Sequence, residues 1–314
     1  MKKYLLLLLV CCNVESFACD MCGCYMGIIP REKESSIGIY YRYRAYVNTI
    51  YSGNAWYPDG GNLRVEHGTH TGTGSEEWLS SYEVYRVAEV RGRYFLHPRL
   101  EVNAVLPYLM NTSAVGSTHT TVSGLGDVNL YAGWYAIDKV EDVTFRRRWV
   151  VGFGLKLPVG ADDREKNGVR IDPLQQTGTG STDQFLYTNF SGGLYRYGLN
   201  LSGTYKINGR NHYNERIGNS STMNLALFRK YRKGVYTSIV PAIQVYYENC
   251  KGLYVNDVLT QGTAMNVWMG GAGVDIYYKQ FSFSVALQVP IHEQLTAGEP
   301  QSTVKTLAGI TWHF

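Results

Sequence analysis

The chain has 314 residues and a formal net charge of +4, and it contains 34 Gly and 26 Tyr but only 9 Pro. The small and dispersed charge argues against nucleic acid as a partner, because no block of Lys or Arg is longer than Arg146 to Arg148. We interpret that block as a solvated turn. The length would allow two domains, but no linker rich in Pro, Ser or charge interrupts the chain, so we expect one domain.

A leader segment occupies residues 1–18. Lys2 and Lys3 form its basic start, residues 4–12 its apolar core, and residues 16–18 a cleavage site of the small-x-small type. This pattern is typical of a signal peptide, and the core is too short to span a bilayer as a helix. After the leader there is no run of about 18 apolar residues, so a chain in a membrane would have to form a closed barrel.

Three cysteines follow the leader, at Cys19, Cys22 and Cys24. Thiolates bind soft metals such as Cu(I) and Zn(II), and a Cys-x-x-Cys spacing brings two sulfurs onto one ion. The alternatives are a disulfide in an oxidising periplasm or a lipid on Cys19, although the preceding residues match a lipidation signal poorly. We expect residues 19–34 to serve as a plug or an anchor, and we expect no cofactor other than a soft metal at this cluster.

Most of the remaining chain alternates apolar and mixed positions with a period of two. In residues 126–137, Val128, Leu130 and Trp134 belong to an apolar row, while Asp127 and Asn129 belong to a partly polar row. A strand with a different environment on each face has this pattern. The alternation predicts strands over residues 37–47, 79–94, 100–106, 126–137, 149–157, 186–194, 199–207, 223–227, 235–247, 264–278, 281–289 and 304–314.

A few positions disturb this pattern. Arg86 falls on the apolar row of its strand, where a mid-bilayer location would cost about 2 to 4 kcal/mol, so we expect a bulge or a strand extension beyond the membrane. Pro107 is expected to end the third strand, and residues 108–125 to form a polar loop. Pro241 lies inside the ninth strand and predicts a bulge. Residues 248–262 are expected to form another loop.

The connections between the predicted strands alternate between long and short along the whole chain. Outer-membrane barrels have short periplasmic turns and longer extracellular loops, whereas a soluble sandwich has no reason to keep this order. An even number of strands, about twelve, places both termini in the periplasm. We therefore predict an all-β fold, a transmembrane antiparallel up-and-down β-barrel over residues 35–314 in the bacterial outer membrane.

A barrel of about twelve strands lies between the filled barrels of eight strands and the open porins of sixteen, so a narrow lumen is expected. Charges of both signs on the inward rows would suit internal salt bridges as well as a selectivity filter. The candidate lumen-lining residues are Arg42, Arg44, Glu89, Arg91, Glu101, Asn103, Asp127, Asn129, Lys156 and Lys305.

We expect a channel and not an enzyme, because the seven His show no grouping with a Ser and an acid. The alternatives are a metal-related outer-membrane protein that uses Cys19, Cys22 and Cys24, or an enzyme built on a barrel.

Four short blocks of the sequence stand out, and the last three are rich in glycine: residues 106–108, 124–128, 154–160 and 178–181, the last followed by Asp183. These blocks resemble a known family, the outer-membrane β-barrel transporters named for the MetA pathway of phenol degradation. The resemblance extends over about residues 95–314 and implies a channel for small, often hydrophobic or aromatic molecules.

Three kinds of partner are expected for such a barrel. Outer-membrane lipid would surround the wall, with Tyr and Trp near the strand ends forming two interfacial girdles. A small-molecule solute would occupy the lumen. The barrel-assembly machinery would recognise the C-terminal strand, which ends at Phe314.

Overall fold

The computed structural model describes residues 34–51, 78–115, 118–139, 145–260, 263–294 and 301–314. No helix within these residues is long and apolar enough to cross a membrane. Twelve strands form the wall. They are β1 Ser36–Tyr51, β2 Trp78–His97, β3 Leu100–Val115, β4 in two segments Thr118–Leu125 and Val128–Lys139, β5 Arg146–Leu157, β6 Asp183–Leu194, β7 Tyr197–Ile207, β8 Ser220–Arg229, β9 Thr237–Cys250, β10 Met265–Tyr278, β11 Phe281–Gln294 and β12 Gln301–His313.

The wall closes into a barrel because the first and last strands pair with each other. Ile39 of β1 lies opposite Ile310 of β12, and every other wall strand pairs antiparallel with its two neighbours in sequence. The predicted all-β, up-and-down barrel of twelve strands is therefore confirmed. Short turns and both described chain ends lie at one end of the barrel, which we call the turn end. The opposite end, where the longer connections lie, is the loop end.

The outer face of the barrel is apolar and ends in aromatic side chains. Residues such as Ile39, Phe153 and Val285 point outward and are exposed, as expected for side chains that face lipid. Towards the turn end the exposed aromatic residues include Tyr94, Trp134, Trp149, Tyr197, Tyr278 and Trp312. Towards the loop end, Tyr247 packs against Trp268 with ring centroids 4.6 Å apart.

Arg86 keeps its place on the outward row of β2. The pairing of β1 with β2 runs without a shift from Ser36 to Tyr51, and Arg86 lies between Tyr43 and Met110 on the neighbouring strands. The expected bulge is therefore absent from this part of the wall. Arg86 precedes Tyr94 by eight positions, which corresponds to about 20 Å along the axis of a barrel with tilted strands. That distance places Arg86 near the loop-side border of the apolar band.

Pro107 was predicted to end β3, and this prediction was wrong because the strand continues to Val115. Its carbonyl oxygen accepts a hydrogen bond from Gly126 N at 2.9 Å, at the point where β4 is divided into two segments. A proline is tolerated where a ladder is interrupted, because its missing N–H is not needed there. Beyond it, residues 108–115 form the outer part of β3 and pair with residues 118–125, the first segment of β4. The predicted loop was wrong because polar, Thr-rich faces also occur on strands that extend beyond the membrane.

Two further predictions were wrong for related reasons. Arg146 to Arg148 begin β5 and do not form a turn, and Arg148 Nε lies 3.5 Å from Asp138 Oδ1 on β4. Residues 248–250, assigned to a loop, complete β9. In both places polar residues at a strand end resemble a loop in sequence, although their backbone continues the ladder.

Pro241 causes no bulge in β9. Its pairing with β10 is regular, with Pro241 opposite Val274. On the other side, the ladder with β8 lacks the positions between Phe228 and Tyr231, and Lys230 N donates to Arg196 O at 2.7 Å. The missing N–H of proline therefore falls where the ladder is already interrupted.

Candidate functional site

A cavity of about 200 Å³ lies inside the barrel. An engineered cavity of about 150 Å³ can hold a benzene molecule, so this space is large enough for one small solute. Eight of the ten predicted lumen residues line the cavity, and Arg44 and Lys305 are buried in the barrel interior beside it. The eight are Arg42, Glu89, Arg91, Glu101, Asn103, Asp127, Asn129 and Lys156.

One side of the cavity carries two arginines that share a single carboxylate. Arg42 Nη2 lies 3.3 Å from Glu89 Oε2. Arg91 Nε donates to Glu89 Oε1 at 2.7 Å, and its guanidinium lies over the Tyr40 ring, 4.4 Å from the centroid. We call Arg42, Glu89 and Arg91 the arginine pair site.

A second group of charges lies towards the loop end, around Glu248. Arg44 Nη1 lies 2.9 Å and Lys305 Nζ 3.6 Å from Glu248 Oε2, to which the Tyr246 hydroxyl also donates at 3.0 Å. All three charged side chains are almost fully buried. The sequence analysis missed Glu248 because it assigned this residue to a loop, although its position on the inward row of β9 was a usable signal.

A third group joins four wall strands through two lysines and two aspartates. Lys156 Nζ lies 2.9 Å from Asp127 Oδ2 and 2.7 Å from Asp183 Oδ2, and Lys206 Nζ lies 3.0 Å from the same Asp183 oxygen. The charges balance in this group. Asp183 and Lys206 were not predicted, although Lys206 continues the inward row of β7.

An aromatic surface completes the cavity between β4 and β6. Glu101 Oε2 accepts from the Tyr135 hydroxyl at 2.7 Å, and Glu101 Oε1 from the Tyr187 hydroxyl at 3.2 Å. Tyr131 packs edge to face against Tyr187 and Phe185, at centroid distances of 5.1 and 5.7 Å. The Tyr187 ring rests on backbone: a Cβ at Gly133 or Gly152 would overlap it. The two glycines therefore make room for a flat aromatic face in the lumen.

The connection between β5 and β6, residues 158–182, folds back at the loop end of the barrel: its residues 171–181 are buried or half-buried, whereas residues 163–169 are mostly exposed. Gln175 Nε2 donates to the Tyr85 hydroxyl at 2.7 Å, and Asn111 Nδ2 donates to Gln175 O at 3.1 Å. Gln176 and Thr177 are buried, and Thr177 lines the cavity. We call residues 158–182 the inner loop. The sequence predicted a charged, Gly-rich loop here but not that it narrows the lumen.

Asp127 holds both ends of the inner loop. Its Oδ1 accepts from Gly160 N at 3.1 Å, and its Oδ2 accepts from Thr179 N at 3.0 Å and from Thr179 Oγ1 at 2.8 Å. The two ends of the loop also touch directly, since Gly178 N donates to Ala161 O at 2.8 Å. One carboxylate on the wall thus closes the base of the loop.

We expect Gly178→Ala to loosen the inner loop. A Cβ at Gly178 would overlap the backbone of Gly160, and backbone cannot rotate away as a side chain can. Overpacking of this kind costs about 1 to 3 kcal/mol. Trypsin cleavage after Arg164 and Lys166 should become faster in the variant, with Gly92→Ala on β2 as the control, since a Cβ at Gly92 meets no atom within 4 Å. Equal cleavage of Gly178→Ala and the parent protein would contradict this expectation.

Asp172 makes the inner loop sensitive to pH. Burial is the main cause that raises the pKa of its carboxyl from 3.8 to about 6, and the negative charge of Glu215 raises the pKa further. The hydrogen bond from Leu174 N and the positive charge of Arg170 act in the opposite direction and lower the pKa. The charge of Asp172 in turn acts on Tyr85 beneath the loop. Because the packed loop binds this proton more tightly than a released loop would, packing becomes more favourable as the pH falls through 6.

We therefore expect the conductance of the refolded barrel to be lower at pH 5 than at pH 7.5. Asp172→Asn, which is neutral at both values, should lose most of this difference and resemble the low-pH state. Planar-bilayer recordings of both proteins at the two pH values measure the effect. An identical pH dependence in Asp172→Asn would show that another group is responsible.

Within the described residues, no group of three or more His, Cys, Asp and Glu side chains is arranged to hold a metal ion. The proposed metal ligands Cys19, Cys22 and Cys24 lie outside the described residues. Cys250 is the last residue of β9 and is buried.

Comparison with solved structures supports the fold. An outer membrane channel from Pseudomonas putida F1 is similar, with a TM-score of 0.60 and 12% identity over 92% of this chain and 100% of the channel. The β domain of the Bordetella autotransporter BrkA has a TM-score of 0.48 and 9% identity, over 90% of this chain and 100% of that domain. LpxR from Salmonella typhimurium has a TM-score of 0.42 and 11% identity, over 89% of this chain and 100% of LpxR.

No family model and no curated protein matches the sequence. The similarity to the Pseudomonas putida channel therefore concerns the fold alone. The chain has the fold of an outer-membrane β-barrel.

Proposed function

We propose that this protein is an outer-membrane channel that passes one small solute at a time. The observation that carries the proposal is the cavity of about 200 Å³ inside the wall, lined by charged and aromatic side chains and narrowed by the inner loop. A barrel with a purely structural role would be expected to fill this space with packed side chains. The fold shared with an outer membrane channel supports the proposal, as does the resemblance to the phenol-pathway transporters.

The test is conductance of the refolded mature chain, residues 19–314, in a planar bilayer with KCl. Steady single-channel steps are expected, and they should be small because the inner loop occupies part of the lumen. Heat-modifiable gel mobility of the same preparation shows whether the barrel is folded. A folded barrel without conductance would refute the channel.

The same proposal includes the cellular location and the interactions of the wall. Residues 1–18 would act as a cleaved signal peptide, and the apolar outer face would contact outer-membrane lipid. The exposed C-terminal Phe314 would be the residue read by the barrel-assembly machinery. Removing Phe314 should lower the amount of folded barrel in outer-membrane fractions, whereas removal of the aromatic ring elsewhere on the same strand should not.

The chemical class of the solute is a proposal and does not follow from the fold. The aromatic surface formed by Tyr131, Phe185 and Tyr187 agrees with the flat, apolar molecules that the family resemblance implies. We propose no catalytic role for the barrel. A metal-related role for Cys19, Cys22 and Cys24 is tested separately, by metal retained on the purified mature protein and lost when the three cysteines become Ser.

A further inference from the structure

We propose that Arg86 binds the phosphate group of a phosphorylated glycolipid on the outer surface of the barrel. The inference rests on the proposed outer-membrane location, which places the loop end in the outer leaflet, and it adds the chemistry of one lipid headgroup to that location. Three features support it: the position of Arg86 on the wall, its lack of a partner among the described residues, and the side chains around it.

Arg86 lies on the lipid-facing row of β2 at the height where acyl chains end. The outward residues that lead to it from the turn end are uncharged, namely Tyr94, Gly92, Val90 and Ala88. The cost of an arginine on the lipid face falls steeply from the centre of the bilayer to its border, and a long side chain can extend its charged head to that border. Arg86 can therefore reach the phosphate groups of the lipid without bringing its charge into the apolar band.

Among the described residues, Arg86 forms no ion pair, no hydrogen bond and no contact with an aromatic ring. Arg229, an outward arginine at the turn end of β8, differs in this respect. Its guanidinium lies 5.1 Å from the centroid of the Tyr197 ring and 4.7 Å from that of the Tyr231 ring. Charged side chains at membrane depth normally pair with another charge or a polar group. Because Arg86 faces lipid, we assign its counter-charge to a lipid headgroup.

The wall on the turn side of Arg86 is apolar. Val90 on β2, Leu106 and Tyr108 on β3 and Ile39 on β1 point outward there and are exposed. Acyl chains cover such a surface in a membrane. A lipid whose chains lie against these residues would place its headgroup at Arg86.

The wall on the loop side of Arg86 offers hydrogen bonds instead. The Tyr82 hydroxyl lies 3.1 Å from His119 Nδ1, and Thr112 Oγ1 lies 3.3 Å from Thr121 Oγ1. All four side chains lie on outward rows and are at least partly exposed. A hydroxyl group has one donor and two acceptor positions, so each can bond a further group. The hydroxyl and amide groups of a glycolipid sugar suit these positions, whereas a phospholipid without a sugar would leave most of them to water.

Diphosphoryl lipid A is a suitable probe, because it combines acyl chains, an amino sugar and phosphate. Native mass spectrometry of the refolded mature chain in detergent, titrated with this lipid, measures the binding. We expect Arg86→Gln to bind it about tenfold more weakly than the parent protein, since a charge-assisted contact with phosphate is lost. Arg86→Lys should give an intermediate affinity, because an ammonium group keeps the charge but lacks the two parallel donors of a guanidinium.

Two further variants test the phosphate and the sugar contacts separately. Arg229→Gln makes the same change at the turn end, where Tyr197 and Tyr231 already cover the guanidinium, and should leave the binding unchanged. Equal losses in Arg86→Gln and Arg229→Gln would show a general attraction to positive charge and would overturn the site. Thr121→Val keeps the shape of the side chain and should weaken binding of lipid A but not of phosphatidylglycerol. Equally tight binding of both lipids to the parent protein would overturn the choice of a glycolipid.

The outcomes separate the lipid site from the channel. Conductance together with equal lipid A binding by the parent protein and Arg86→Gln would overturn the site and leave the channel intact. Binding that depends on Arg86 in a folded barrel that does not conduct would support the site and refute the channel. Absence of the protein from outer-membrane fractions would refute the location and, with it, the basis for a glycolipid. If Arg86→Gln fails to fold, as judged by heat-modifiable mobility, parental affinity for lipid A in both Arg86→Lys and Thr121→Val overturns the proposal.

Discussion

Replacing Asp127 with alanine is expected to raise the single-channel conductance of the barrel several-fold. The carboxylate accepts hydrogen bonds from Gly160 N and from the backbone and hydroxyl of Thr179, and it pairs with Lys156. Removing one partner of a buried ion pair costs about 3 to 5 kcal/mol. Most of that cost would fall on the inner loop, because the wall strands keep their own ladders. A loop that leaves the lumen removes the main constriction.

Two variants make this expectation specific. Asp163 lies on the same loop, is exposed, and is not within the group around Asp127, so Asp163→Ala should leave the conductance unchanged. Asp127→Asn keeps the size and one acceptor oxygen and should give an intermediate value. Faster trypsin cleavage at Arg164 and Arg170 in Asp127→Ala would report release of the loop independently of the current. A folded Asp127→Ala barrel with parental conductance and parental cleavage would refute the role of Asp127.

The wall could be predicted from the sequence because lipid imposes a local rule. Each wall residue faces either lipid or lumen, so the pattern of β5, from Trp149 to Leu157, can be interpreted without knowledge of the rest of the chain. This rule does not apply where the wall strands extend beyond the membrane. Residues 108–115, 118–125 and 248–250 carry many polar side chains and were therefore taken for loop residues, although they continue the strands.

The interior could be predicted only in part. Inward residues such as Lys156 follow from the alternation, but the partners of Lys156 do not. Asp183 meets Lys156 because β5 and β6 pair in one register, and Thr179 meets Asp127 because the inner loop folds back. Both contacts depend on how segments far apart in sequence are arranged. A period-two pattern contains no information about a loop that enters the lumen.

Replacing Glu248 with alanine should destabilise the whole barrel, in contrast to the local effect at Asp127. Arg44 and Lys305 lie on β1 and β12, the two strands whose pairing closes the wall, and both face the Glu248 carboxylate on β9. All three side chains are buried. Without the carboxylate, two buried cations lose this ion pair, and we expect a loss of about 3 to 5 kcal/mol. The midpoint of urea unfolding in detergent micelles, followed by heat-modifiable mobility, measures this loss.

The triple variant Arg44→Met, Glu248→Met and Lys305→Met tests the reason for the loss. It removes all three charges together, so no buried cation remains, and the new side chains can pack against Met265, Met269 and Tyr246, which are already buried in this region. Apolar replacement of a whole buried ion group is often neutral or stabilising. We therefore expect the triple variant to unfold at a higher urea concentration than Glu248→Ala. If it is as unstable as Glu248→Ala, the loss comes from packing and hydrogen bonds, and the two cations do not need the carboxylate as a counter-charge.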